Sequence, residues 1–106
     1  MASSKGYLEF VLDQLSGLRG ITHRAMMGEY IIYYQGKVIG GIYDDRFLVK
    51  NTASAKQLMP DAPLEMPYEG GSPMILVEEI DDREFLEKLF DSMVDELPAP
   101  KTKKRG

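Results

Sequence analysis

Two turn-forming dipeptides, Gln35-Gly36 and Asp44-Asp45, cut one strand-like stretch into short pieces. Tyr30 to Tyr34 is a run of β-branched and aromatic residues, the composition that suits a pleated, half-buried surface. Lys37 to Tyr43 and Arg46 to Lys50 follow, each separated from its predecessor by only two residues. Strands joined so tightly can only be antiparallel neighbours, because a parallel crossover needs a dozen residues or more. The stretch therefore reads as a meander. Thr22 to Met27 is a weaker candidate for a strand in front of it.

The flanks carry helical patterns. Tyr7, Leu8, Val11, Leu12, Leu15 and Leu18 recur at helical spacing, predicting an amphipathic helix over 4–18 that Ser3 or Ser4 can cap and Gly17 or Gly20 can end. Asn51 or Thr52 can cap a short helix through Met59, stopped by Pro60. The segment 60–73, PDAPLEMPYEGGSP, has the composition of a long loop, packed down by Leu64, Met66 and Tyr68 or left mobile. Met74 to Ile80 reads as a last strand. Asp81 with Glu84 resembles a capping box for a helix whose stripe is Phe85, Leu86, Leu89, Phe90, Met93, Val94 and Leu97. The order α-β-β-β-α-β-α, with the weaker strand as a fourth directly after the first helix, predicts a two-layer α+β domain over 1–97. Its sheet is mostly antiparallel, with helices on one face. The Pro-rich, basic residues 98–106 read as a disordered tail.

Composition bounds the chemistry. The chain of 106 residues has no cysteine, which removes disulfides and thiolate sites and fits a reducing, cytoplasmic compartment. Its start, MASSKGYLEF, lacks the pattern of a secretory signal, and no apolar run approaches a membrane span. Residues 78–96 hold nine acidic and two basic side chains, while the tail carries Lys101, Lys103, Lys104 and Arg105. A helix this acidic repels polyanions. Four phosphate contacts from the tail give a salt slope of about −3.6 and weak non-specific binding, so nucleic acid is the second reading. That reading would use Arg24, Lys37, Arg46, Lys50 and the tail.

No residue set assembles a reaction, a cofactor site or a metal site. His23 is the only histidine and lacks a second nitrogen or sulfur ligand for zinc; an edge-strand or surface role suits it better. Asp44 and Asp45 suit a turn. Glu78, Glu79, Asp81 and Asp82 suit the start of a helix, where negative charge is favourable. Gly40-Gly41 inside a strand signals a bulge or a close approach of backbone. Glu29, interrupting an apolar segment beside Gly28, faces either a pocket or an exposed bulge. Bulky apolar side chains fall on both faces of the meander, and helices on one side cover only one of them. Either the proline-rich loop or a partner must hide the rest. The expectation is a homodimer whose face includes Ile32, Tyr34 and Leu48.

Arg24-Ala25-Met26-Met27-Gly28, the aromatic strand with its Gly36 turn, and Gly41-Ile42-Tyr43-Asp44-Asp45-Arg46-Phe47-Leu48-Val49-Lys50 together resemble the N-terminal domain of the TfoX/Sxy family of competence regulators. The likeness extends through Pro67-Tyr68 and the final helix. Met26-Met27-Gly28-Glu29 stands where the family usually has Met-Phe-Gly-Gly. The resemblance implies a stand-alone N-terminal domain without the further C-terminal domain of full regulators. It implies a helix-first α+β fold and a non-catalytic regulatory role, exercised through transcription machinery or an activator protein. The candidate pocket it marks comprises Arg24, Met26, Met27, Gly28, Glu29, Tyr30 and Tyr68.

Overall fold

Helix α1 (Lys5–Gln14) leads into a four-strand meander, β1 (Ile21–Met26), β2 (Glu29–Tyr34), β3 (Lys37–Tyr43) and β4 (Arg46–Val49). Helix α2 (Ala53–Leu58), strands β5 (Leu64–Glu65) and β6 (Met74–Leu76), helix α3 (Arg83–Met93) and a 3₁₀ turn (Val94–Glu96) complete the chain. The computed structural model describes residues 5–26, 28–67 and 71–97. Capping by Ser3 or Ser4, Met27, Tyr68 and the basic tail lie outside the described residues. The sheet is antiparallel throughout, in the order β1-β2-β3-β4-β6-β5. The fold is α+β, as the pattern of elements predicts.

Both central turns have the left-handed backbone that matches strand twist in two-residue hairpins: Gln35 and Gly36 at φ 54° and 81°, Asp44 and Asp45 at 54° and 57°. Leu8, Val11 and Leu15 from the first helix and its following turn, Ala55 of α2, and Leu86, Leu89, Phe90 and Met93 of α3 meet one face of the sheet in a single core. That face supplies Ile32, Ile39, Ile42, Phe47, Val49 and Ile75. Helix α3 is the main donor, since all four of its core side chains are fully buried. Replacing Phe90 by alanine would cost about 3–5 kcal/mol, a large share of the stability of a small domain.

Several boundaries differ from the sequence reading. The proline-rich segment is not wholly loop: Leu64 and Glu65 pair with Ile75 and Met74 as a two-residue edge strand. The first helix stops at Gln14, with turns through Leu18, and the last strand ends at Leu76. Asp82, not Asp81, caps α3, its carboxylate accepting from the Phe85 N–H at 3.1 Å. Thr52 caps α2 by accepting from the Ala55 N–H.

Gly40-Gly41 marks a bulge. Ile32 lies opposite Gly40 but Tyr33 opposite Val38, leaving Ile39 as the extra residue. The Ile39 carbonyl accepts from the Lys50 N–H at 2.9 Å, so the bulge leaves that group satisfied. A Cβ at Gly40 would sit 2.2 Å from the Leu48 carbonyl oxygen, which only glycine avoids.

Candidate interaction surface

Strand alternation and the observed register place a second set of side chains on the face away from the helices. Thr22, Arg24 and Met26 of β1 stand beside Tyr33, Ile31 and Glu29 of β2. Val38 and Tyr43 of β3, Arg46 and Leu48 of β4, and Met74 and Leu76 of β6 continue the face. Tyr43, Leu48 and Met74 form a small core of their own, with Leu76 against it.

This second core is closed from within the chain. Leu48 is fully buried with Tyr43 and Met74, and Pro67 of the proline-rich loop is buried as well. The Arg46 guanidinium pairs with the Glu65 carboxylate and donates from Nε to the Tyr43 carbonyl at 3.1 Å, tying β4 to edge strand β5. A Cβ on Gly41 would lie 2.7 Å from the Tyr43 ring, so the absence of a side chain there lets the ring lie over the strand.

A groove of about 350 Å³ remains between sheet and loop. Ile31, Val38, Tyr43 and Met74 line it from the sheet, Pro67 and Pro73 from the loop, and Lys50 and Asn51 supply polar groups. A second cleft, of about 370 Å³, lies between the end of α2 and the start of α3, with Asp61, Glu78 and Glu79 among its lining. Among the described residues no group of three or more His, Asp or Glu side chains is placed to hold a metal ion. None of their helices is long and apolar enough to cross a membrane.

Those of the residues singled out from sequence that are described do not converge on one pocket. Arg24 and Met26 are exposed on the face away from the helices. Gly28 occupies the β1–β2 turn at φ 86°. The Glu29 carboxylate accepts from the Asp44 N–H at 3.1 Å, bracing the β3–β4 turn instead of entering a pocket. Tyr30 lies on the helix side, edge-on to His23 with ring centroids 6.4 Å apart. His23 itself is exposed on the outer strand.

The expected dimer face needs correction. Ile32 is 0% exposed, Leu48 0% and Tyr34 4%, all within a single chain. Ile32 and Tyr34 belong to the main core beneath the helices, and Leu48 to the small core it forms with Tyr43 and Met74. The proline-rich loop, one of the two covers the sequence allowed, hides part of the second face. The basic set also divides. Lys37 Nζ donates to the Val94 carbonyl at 2.9 Å on the helix side, and Arg46 is paired with Glu65, so neither joins Arg24 and Lys50 in one stripe.

Val38, Lys50, Asn51, Pro73 and Met74 escaped the sequence reading as groove residues. For Val38 the bulge is the reason. Val38 and Tyr43 are separated by an odd number of positions and would face opposite ways in a regular strand.

The family model of the TfoX N-terminal domain matches residues 13–95, which include every strand and the second and third helices. The chain is similar to an uncharacterized 12.7 kDa protein in the trpE 5' region of Spirochaeta aurantia. The two are 29% identical over 105 residues, covering 98% of this chain and 91% of the relative. No solved structure matches.

Proposed function

Because this chain belongs to the TfoX N-terminal domain family, we propose that it is a non-catalytic interaction domain that modulates transcription through a protein partner. The observation that carries this reading is the groove over β2 and β3, apolar at Ile31, Val38 and Met74 with Lys50 and Asn51 at its margin. Apolar anchors beside a few polar groups are what a protein contact uses. The net charge of −4 argues in the same direction, since polyanions are repelled. Nucleic-acid binding, the alternative, is left with Arg24 and Lys50 from the four body residues it requires. Its remaining source of charge is the basic run at Lys101, Lys103, Lys104 and Arg105.

The test is affinity capture from native cytoplasm with the natural chain and with Val38→Glu, which puts a charge into the groove. A polymerase subunit or an activator recovered with the natural chain and lost with the variant supports the proposal. Recovery of the same proteins with both chains removes the groove from the reading. Direct DNA binding that falls steeply with added salt replaces it with the alternative.

A further inference from the structure

Strand β1 is an outer strand of the sheet. The Gln35 N–H donates to the Gly20 carbonyl at 2.9 Å, just before the pairs Thr22–Tyr33, Arg24–Ile31 and Met26–Glu29. In an antiparallel ladder, bonded and non-bonded positions alternate. The backbone groups of Thr22, Arg24 and Met26 therefore turn toward β2, and those of Ile21, His23 and Ala25 turn outward. Every side chain from Thr22 to Met26 is exposed. No described element lies along this edge.

The opposite edge is built differently. Strand β5 has two residues, with Pro63 directly before it and Pro67 shortly after. Short strands and residues without an N–H are how sheets prevent further pairing. Strand β1 has six residues and no proline.

We propose that two copies of this chain join through β1, antiparallel about a two-fold axis at His23, merging their sheets into one. A two-fold pairing that keeps both helix layers on the same side must set residues of like facing opposite one another, so it centres on a residue. Centring on Thr22 or Ala25 shortens the overlap. Centring on Arg24 sets two guanidinium groups directly opposite at a non-bonded position, where side chains come closest. Centring on His23 sets Ile21 against Ala25 of the second copy and Thr22 against Arg24, each twice. It brings no pair of Arg24 side chains together. The outward groups of Ile21, His23 and Ala25 then exchange about six N–H···O bonds, two for each bonded pair. A second copy is the occupant because the strand is its own complement about His23: the outward groups of the same three residues meet one another, and Arg24 faces Thr22 instead of a second Arg24. The edge is separate from the groove, so the inference does not depend on the proposed partner.

Sedimentation velocity over the micromolar range tests it. The natural chain is expected to dimerise. Ala25→Pro removes an outward N–H while leaving the β2 ladder intact. It should keep the circular dichroism spectrum and weaken dimerisation by about tenfold or more. His23→Lys and His23→Glu should each weaken self-association, and an equimolar mixture of the two should recover it as a heterodimer. The charge-swap pair carries the test if the proline variant unfolds. A natural chain that stays monomeric at high micromolar concentration overturns the proposal. So does a dimer indifferent to Ala25→Pro whose charge variants show no preference for each other. Binding of an extended peptide from another protein along β1 by a monomeric chain overturns it as well.

Discussion

The Tyr34 hydroxyl donates to Asp91 Oδ1 at 2.6 Å, joining the end of β2 to α3. The Tyr34 ring also lies 5.7 Å from the Phe90 ring, so one side chain fastens the helix by an apolar contact and a polar one. Tyr34→Phe keeps the first and removes the second. The expected loss is about 1 kcal/mol, read as a lower midpoint in urea with an unchanged slope. Burial, followed by the Asp91 carboxylate, pushes the Tyr34 hydroxyl above its ordinary value of 10.0. A group with a raised value in the folded state stabilises the fold fully below its unfolded value and ceases to do so as pH rises through the folded one. Stability of the natural chain should therefore fall above about pH 10. Tyr34→Phe should soften the fall without abolishing it, because burial and Asp45 also raise Tyr7.

Glu96 gives the opposite pH signature. Its carboxylate accepts from the Ser54 N–H at 3.0 Å and from the Ser54 hydroxyl, reaching from the 3₁₀ turn to the first turn of α2. These bonds hold it below its usual carboxylate value of 4.5. The contribution is present above that value and is lost as pH falls through the depressed one. Melting temperatures measured from neutral to acid pH should fall more steeply for the natural chain than for Glu96→Gln. Parallel curves would remove Glu96 from the account of acid sensitivity.

The first central turn is suboptimal at Gln35, whose φ of 54° suits asparagine or glycine better than glutamine. Gln35→Asn creates the Asn-Gly pair that such turns favour. It should stabilise the domain by about 0.5–1 kcal/mol, raising the melting temperature by about 2–8 °C.

Two glycine-to-alanine changes should act in opposite directions. At Gly40 a Cβ would sit 2.2 Å from the Leu48 carbonyl oxygen and 2.9 Å from Val49 Cα, both backbone atoms that cannot move aside cheaply. Gly40→Ala should cost about 3 kcal/mol or more, read by chemical denaturation or by loss of soluble protein. Gly6 lies in α1 with nothing within 4 Å of a Cβ built there. Gly6→Ala should add about 0.5–1 kcal/mol. Similar effects from both would refute the close approach of β3 to β4.

The meander was legible in the sequence because Gln35-Gly36 and Asp44-Asp45 fix both loop length and strand direction. The α3 stripe was legible because its apolar spacing is regular and Asp82 lies within one position of the expected cap. The groove was not legible. Its sheet wall depends on the extra residue at Ile39, which changes the facing of everything before it, and the two glycines disclose a bulge without its register. Strand β5 was hidden because two residues among prolines show no alternation. The dimer face was misplaced for a related reason. An apolar surplus at Leu48 shows that a cover is needed, but only the packing of Tyr43 and Met74 shows that the chain supplies one.

The sheet order β1-β2-β3-β4-β6-β5 bears on how the domain assembles. The first four strands close through short connections, so their pairing requires little loop entropy. Strand β6 must instead return across α2 and the proline-rich segment to meet β4, and Asp91 lies 57 positions from the tyrosine it anchors. The meander is therefore the expected folding nucleus, with α3 docking afterwards. Side chains of β2 should register in the refolding rate, whereas Asp91 and Phe90 should act chiefly on unfolding.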